Sequence, residues 1–310
     1  MTSQTIHSPR PSVPFTVMVR RRFFAHRMAA ISLALLTALT CLTLLASPIE
    51  MMLQSDTAQV DLFNRFAAPS FDHPLGTDEL GRDTLVRLLE GGQVSLFVGL
   101  IAALIAASIG TLIGLVAGYF GGWTDQVLMR ITDGIIALPL LPLLIVLAAL
   151  DLSKLGLPAE ITGSENVSLY RIIAIVALVG WTTSARLVRA TTLALRERPF
   201  VLAARAQGAG SLRIISVHIL PNLASPIIVA TTLSIGNIIL LESVLSFLGL
   251  GIQPPVPSWG SMLTNAQELI WQAPALAFYP GILIFLTVIS FNFIGDGLQD
   301  ALDPRANRDK

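Results

Sequence analysis

The chain has 310 residues, of which 53% are hydrophobic and only 13% are charged, and its mean hydropathy is +0.71. Soluble domains carry about a quarter charged residues, so this composition excludes a soluble globular protein and indicates an integral membrane protein. The formal net charge of zero conceals an uneven distribution of charge along the chain. Because Cys41 is the only cysteine, neither an intrachain disulfide nor a thiolate metal cluster can form.

Six apolar runs are long enough to cross a bilayer as helices. Their approximate bounds are Ala29–Ile49, Val94–Gly118, Val127–Leu150, Tyr170–Thr191, Leu223–Leu248 and Phe278–Leu298. The fold class predicted from these runs is an all-α integral membrane protein with six transmembrane helices. An even number of spans places both termini on the same side of the membrane.

The basic residues predict the orientation of these spans. One side carries Arg10, Arg20, Arg21, Arg22, Arg27, Arg130, Arg186, Arg189, Arg196, Arg198, Arg205, Arg213, Arg305, Arg308 and Lys310. The other side carries only Arg65, Arg82, Arg87, Lys154 and Arg171. Since cytoplasmic loops are enriched in Lys and Arg, both termini and residues 186–222 are expected to face the cytoplasm.

The stretch 186–222 contains six arginines and one glutamate, and its sequence predicts two short helices. Pro199 suits the first turn of a helix, and Gly208 suits a left-handed residue just after its end. Ser211 is expected to cap the second helix, and Pro221 is expected to stop it. A helix-turn-helix that binds DNA would read similarly. The flanking apolar runs favour a docking loop at a membrane face instead, so no nucleic-acid partner is expected.

Small side chains in this stretch and in the second run predict close packing. Ala203, Ala204 and Ala206 would let another protein approach the first short helix. In the second run, a stripe with four-residue spacing would let a neighbouring helix approach; it comprises Ala102, Ala106, Gly110, Gly114 and Gly118. The alternative for the stripe is that glycine is simply common in membrane helices. Pro139 and Pro142 are expected to bend or open the third span, either as part of a moving pathway or as a static kink.

Few polar side chains lie within the predicted spans: Asp133, Asn237, Glu242, Asn292 and Asp296. Asp133 is expected to form a local ion pair with Arg130. Glu242 and Asn237 form the candidate intramembrane polar site. Glu242 could serve function directly, or it could hold a contact between helices, and the sequence favours neither interpretation.

No catalytic residue and no metal site can be assigned from the sequence. None of the four histidines belongs to an HExxH pair, and there is no GxSxG elbow. Neither Lys154 nor Lys310 follows a glycine-rich turn, so there is no Walker A loop. Uphill transport would therefore draw energy from another polypeptide or from an ion gradient, and this chain is expected to bind no cofactor itself.

The segments AARAQG at Ala203–Gly208 and HILP at His218–Pro221 resemble the EAA loop of bacterial ABC importer permeases. In that family a cytoplasmic helix pair seats in a cleft of the ATPase subunit. Four further segments resemble the second permease of dipeptide, oligopeptide and nickel importers, and the resemblance covers nearly the whole chain. They are HPLGTDELGRD at 73–83, GLVAGYFGGWTDQVLMRITD at 114–133, ESVLSFLGLGIQPPVPSWGSML at 242–263 and FNFIGDGLQDALDPR at 291–305.

The resemblance implies a type I ABC importer permease fold in three parts. Residues 1–92 would form a cytoplasmic elbow, the first span and a periplasmic loop; residues 93–298 would form the transmembrane core; residues 299–310 would form a cytoplasmic tail. Residues 199–221, the coupling segment from here on, would contact the ATPase through Leu202, Ala203, Ala204, Gly208, His218, Leu220 and Pro221. Leu202 stands where the family usually has glutamate, so the charge contact of that glutamate is missing here.

The function implied by the resemblance is that of a permease subunit of an ATP-driven importer in the bacterial inner membrane, with peptides as cargo. Its partners would be a related second permease, two ATPase subunits that use ATP and magnesium, a periplasmic solute-binding protein and membrane lipid. The cargo could also be a nickel chelate, glutathione or another small solute. The alternative class is an ion-coupled secondary transporter, which is disfavoured because no inverted repeat is evident; a membrane scaffold is more remote.

Overall fold

The computed structural model describes residues 14–53, 60–150 and 166–303, and within these ranges it is helical apart from loops and one isolated bridge between Thr77 and Asp83. The main helices are α1 (Phe15–Ala25), α2 (Arg27–Leu44), α3 (Ala46–Leu53), α4 (Thr84–Phe120), α5 (Gly122–Ala137), α6 (Leu140–Ala148), α7 (Val167–Arg196), α8 (Pro199–Ala206), α9 (Ser211–Phe247) and α10 (Ala275–Leu302).

Five of these helices are long and apolar enough to cross a membrane, namely α2, α4, α7, α9 and α10. The helices α5 and α6 qualify as a sixth span only when they are taken together as one bent pair. The structure thus has five or six candidate spans, and counting the bent pair gives the six predicted from the sequence, although several bounds differ. For example, α4 begins at Thr84 rather than near Val94, because the Asp83 side chain caps it by accepting a 2.9 Å hydrogen bond from the Val86 N–H.

The predicted break in the third span is present and is sharp, since α5 and α6 meet at 88°. Leu138 and Pro139 both have extended backbone, and Pro139 is the N-cap of α6. A proline disfavours helical geometry in the residue before it and lacks the N–H that would continue the ladder. Pro142 lies in the first turn of α6, where a missing N–H costs little.

Two predictions about the second short helix are wrong. The N-cap residue is Gly210, and Ser211 makes no capping hydrogen bond. Pro221 does not stop the helix, because α9 continues from Ser211 to Phe247. A π turn at Ile214–Ile219 precedes the proline, and the Leu220 N–H donates to the Ile215 carbonyl five residues back. Pro221 directly follows this π turn, and the shifted hydrogen bonding of the turn accommodates a residue without an N–H inside the continuous helix.

The central core lies where α4, α7 and α9 meet, and it includes Val98, Ile172, Ile239 and Leu245. The bundle has two ends. The coupling side carries the coupling segment together with the ends of α4 and α7, and the opposite side carries the start of α4 and the end of α9. At the far edge of the bundle α1 and α2 pack on α10, with Ala29 against Gly297.

The predicted small-residue stripe of α4 lies directly against α7. A Cβ atom added at Gly110 would lie 2.5 Å from the Trp181 carbonyl oxygen, and one added at Gly114 would lie 2.5 Å from that of Ala185. Gly118 faces Thr192 in the same manner, and Ala106 packs with Trp181 in a buried cluster one turn earlier. The two helix backbones therefore touch along several turns, which only glycine permits.

We expect Gly114→Ala to destabilise the protein, because the added methyl group would force α4 and α7 apart. Overpacking of this kind costs about 1–3 kcal/mol. Gly281→Ala is the matched control, since a Cβ atom at Gly281 meets nothing within 4 Å. The measurement is the thermal unfolding midpoint of the detergent-solubilised protein and its yield from membranes. Equal midpoints for the two variants would contradict the packing interpretation.

Candidate functional site

The coupling segment forms two helical arms around a left-handed glycine. Pro199 occupies the first turn of α8, as predicted, and Gly208 has φ of +82° just beyond its end. The Gly208 N–H donates to the Arg205 carbonyl at 3.0 Å, and the Ala209 N–H donates to the Ala204 carbonyl at 3.0 Å. This pair of hydrogen bonds is a Schellman motif, which needs a residue that tolerates positive φ.

The inner face of the coupling segment is anchored in a buried apolar cluster. Val201 of α8 and Ile214 and Ile219 of the π turn pack there, together with Leu115 of α4 and Val188 of α7. All five side chains are buried. The segment is thereby held against the ends of two membrane helices rather than hanging free from a loop.

The outer face of the segment is exposed and carries large apolar side chains together with Arg205 and Arg213. Leu212 is 81% exposed and Val217 is 56% exposed, and Phe200 and Leu202 also project outward. Of the predicted contact residues, Ala203, Gly208, Leu220 and Pro221 are exposed as well. Ala204 is buried beneath them, and the half-buried His218 ring lies against Phe200 with their centroids 6.4 Å apart. Most of the predicted set is thus accessible to another protein.

Ion pairs tie the start of the broken span to α7 on the coupling side. The Arg189 guanidinium donates two hydrogen bonds to the Asp125 carboxylate, one of them from Nη2 to Oδ2 at 2.6 Å. Asp133 pairs with Arg186, so the predicted local pair with Arg130 is wrong. The cause is tertiary packing: α7 lies beside α5 and presents its arginines to both carboxylates. A third arginine of α7, Arg196, donates a hydrogen bond to the backbone carbonyl of Gly118 at 3.1 Å and so links α7 to the end of α4.

Glu242 is completely buried and is held by serine hydroxyls. Its Oε1 accepts hydrogen bonds from Ser246 Oγ at 2.7 Å and from Ser258 Oγ at 2.9 Å. Its Oε2 accepts a longer one from Ser95 Oγ at 3.4 Å, whereas the Ser243 hydroxyl, 3.5 Å away, donates to the Ile239 carbonyl at 2.8 Å. These residues come from α4, from α9 and from the loop that follows α9. The carboxylate therefore joins three segments and has no surface open to a passing solute.

The loop after α9 is packed tightly around this carboxylate. Trp259 is fully buried, its backbone N–H donates to Ser95 Oγ, and its indole N–H donates to the Leu88 carbonyl at 2.9 Å. A Cβ atom at Gly260 would lie 2.6 Å from the Cα atom of Ser243, so only glycine fits there. The loop is thus tightly packed against α4 and α9 and belongs to the core on the opposite side of the bundle.

Asn237 is placed away from Glu242, and the two do not form one site. The Asn237 side chain is exposed on α9 and lines a cavity of about 430 Å³ between α9, α7 and the break of the third span. Glu242 lies on the buried side of the same helix. The two polar residues that the sequence analysis grouped together therefore have different surroundings.

A charged turn before α4 is a feature that the sequence analysis did not assign. Asp78 accepts hydrogen bonds from the Leu80 and Arg82 N–H groups, both at 2.9 Å, and from Arg82 Nε at 2.7 Å. Arg87 Nε lies 3.4 Å from the same carboxylate. The turn lines a cavity of about 340 Å³ with the loop after α9. It lies within the segment 73–83 that carries part of the family resemblance, but its charges and turn residues taken alone are also those of a solvated surface loop.

Comparison with known proteins identifies the family. The sequence model of one protein family, described as binding-protein-dependent transport system inner membrane component, matches residues 110–308 of the chain. The chain therefore belongs to this family of membrane permeases, whose members work with a partner permease, an ATPase and a binding protein. It is a transport subunit and not an enzyme, and the alternative of an ion-coupled secondary transporter is wrong.

Three relatives show what the chain is similar to. A dipeptide transport system permease protein of Alkalihalophilus pseudofirmus is 39% identical over 96% of this chain and 94% of its own length. A putative peptide permease protein of Brucella suis is 40% identical over 92% of this chain and 89% of its own. A glutathione transport system permease protein of Escherichia coli is 45% identical over 79% of this chain and 76% of its own.

We expect Glu242→Leu to lower the stability of the protein strongly, because the hydroxyl groups of Ser95, Ser246 and Ser258 would lose a shared acceptor inside the fold. Each buried polar group left unpaired costs about 1–3 kcal/mol. Glu242→Gln keeps an acceptor oxygen and should be milder. Glu268→Leu serves as the control, since Glu268 is exposed in the same loop region. The measurement is the unfolding midpoint in detergent, and equal midpoints for Glu242→Leu and Glu268→Leu would contradict this role.

Proposed function

We propose that this chain forms half of the pathway by which an ATP-driven importer carries short peptides across the bacterial inner membrane. The observation that supports the coupling role is the two-sided construction of the coupling segment. Its inner face is buried against α4 and α7, whereas Leu202, Leu212 and Val217 project outward. An exposed apolar surface on a rigidly held helix pair is suited to seat in a cleft of another protein.

The assembly proposed is a heterodimer of this chain with a related permease, two ATPase subunits and one periplasmic binding protein. The ATPase subunits would bind ATP and magnesium, and this chain would bind no cofactor. Peptide cargo is supported by the names of the dipeptide and peptide relatives. Glutathione is itself a tripeptide, so the third relative is compatible with the same class of cargo.

Leu202 makes the proposed contact with the ATPase more apolar than the contact that a glutamate at this position would make. This side chain is 44% exposed on the outer face of α8, at the position where the family usually has glutamate. The seating of this chain would therefore depend on apolar contact with Leu202, Leu212 and Val217 more than on a charge. The related permease would supply the charge contact on its own side of the assembly.

Gly208→Val should uncouple the ATPase from this chain without disturbing any span. A β-branched residue at φ of +82° is strained by about 1–2 kcal/mol, so the angle between α8 and α9 would change. Gly210→Val is a close control, because Gly210 has φ of −67° and open space around it. We expect the first variant to lose ATPase subunits in a pull-down from detergent, and the second to keep them.

Leu202→Glu gives a second test of the same seating. A carboxylate on the exposed face of α8 should be tolerated and should strengthen ATPase association by a charge-assisted contact. Retention of full uptake by Gly208→Val together with loss of uptake in Leu202→Glu would contradict the proposed seating of the coupling segment.

The proposed orientation has both termini and the coupling segment in the cytoplasm. It is supported by the excess of basic residues on that side, including Arg205 and Arg213. An alkaline phosphatase fusion after Gln267 should be active, and one after Ala209 should be inactive. Fusions after Leu157 and Arg308, which lie outside the described residues, should be active and inactive respectively. Phosphatase activity after Ala209 would reverse the orientation.

A further inference from the structure

The cavity of about 430 Å³ that Asn237 lines is surrounded by apolar residues of four helices. It lies between α7 and α9 and is closed on one flank by the meeting point of α5 and α6. Asn237 is ten residues from the end of α9 at Phe247, which places it about 15 Å below the opposite side at 1.5 Å per residue. The cavity therefore lies at the depth of the hydrocarbon core, which is about 30 Å thick.

Polar groups with no protein partner face this cavity. Among the described residues, neither the Asn237 amide nor the Thr183 hydroxyl makes a hydrogen bond, and both side chains are exposed. Thr191 and Ser234 instead donate to the Leu187 and Ala230 carbonyls. The hydroxyls of Thr192, Thr287 and Ser290 also lack a partner, but they are enclosed by protein and do not face an open cavity. An amide facing lipid without a partner is expensive, so this surface must face water, cargo or protein.

The break of the third span supports the same conclusion independently. The backbone bends at Leu138 and Pro139, so Leu140 and Leu141 begin a new helix and their N–H groups have no carbonyl of a preceding turn to bond. Backbone that leaves the helical ladder at membrane depth is tolerated where it is buried in protein or lines a polar cavity. Leu138 and Leu140 lie on the cavity wall, so the opened backbone and Asn237 share one space.

We infer that this cavity is a binding site for the main-chain amide groups of the transported peptide. The Asn237 amide carries both donors and an acceptor, so it can pair with the C=O and the N–H of a peptide bond. None of the cavity-lining side chains in the described residues is charged, so the site does not select among cargo side chains by charge. The inference deepens the proposed function and rests on it, because it takes peptides as the cargo.

The first arm of the test asks whether the cavity holds water, and it does not depend on the cargo. Cys41 is the only cysteine, so Cys41→Ser provides a thiol-free background. In that background, Asn237→Cys and Thr183→Cys should react at least about ten-fold faster with a charged methanethiosulfonate reagent than Phe285→Cys. Phe285 is 62% exposed and lies ten residues into α10, at a depth similar to that of Asn237. Equal rates would overturn the inference.

The second arm measures uptake of dialanine and dilysine by the complete importer. Loss of about two neutral hydrogen bonds predicts about ten-fold slower uptake for Asn237→Leu, by the same factor for both peptides, with partial rescue by Asn237→Gln. Thr183→Val should slow uptake, whereas Thr191→Val should not, since that hydroxyl already has a backbone partner. Retained ATPase subunits in a pull-down show that each variant is assembled.

The two proposals fail in different ways. Unchanged uptake by Asn237→Leu, or a loss restricted to one of the two peptides, would overturn the main-chain site while leaving the peptide importer in place. If the wild-type importer carries neither dialanine nor dilysine, the peptide cargo and the site for it are both wrong. Fast labelling of Asn237→Cys would then still assign this surface to a water-filled pathway.

Discussion

The close approach of α4 and α7 is the constraint on which the rest of the molecule depends. Lipid tails are as apolar as the side chains they surround, so the hydrophobic effect does not drive membrane helices together. They associate instead through close van der Waals packing and hydrogen bonds. Gly110, Gly114 and Gly118 allow the backbones to touch, and no larger residue would. This contact aligns the end of α7 with the end of α4, where Arg196 reaches the Gly118 carbonyl. The coupling segment that follows α7 starts from that position.

Two polar residues of α9, Glu242 and Asn237, have opposite surroundings. Glu242 is buried and accepts hydrogen bonds from serine hydroxyls of three segments, so it anchors the loop after α9 to the helices. Asn237, on the other side of the same helix, is left open to a cavity with no partner among the described residues. A protein that had only to fold would have little reason to keep an unpaired amide at that depth.

The features predicted from the sequence are those that depend on the local chain. The break at Pro139, the left-handed Gly208 and the position of Pro199 all follow from backbone restrictions on single residues. The glycine stripe could be recognised because its spacing matches the helix repeat. Span number followed from hydropathy, and the family followed from the coupling segment.

The features that the sequence analysis missed depend on residues far apart in the chain. The partner of Asp133 is Arg186 on another helix, and the serines around Glu242 come from segments that no local pattern connects. The fate of Pro221 depends on a π turn, which has no reliable sequence signal. Grouping Asn237 with Glu242 failed because the two residues point to different sides of α9.

The continuity of α9 has a mechanical consequence. Leu212 on the outer face of the coupling segment and Asn237 beside the cavity belong to one helix and are about 38 Å apart at 1.5 Å per residue. A rod of that length that pivots by about 5° displaces its far end by about 3 Å, the length of a hydrogen bond. A push at Leu212 would thus reach the cavity wall along one helix, in which the π turn, Pro221 and Pro226 are the points that can bend.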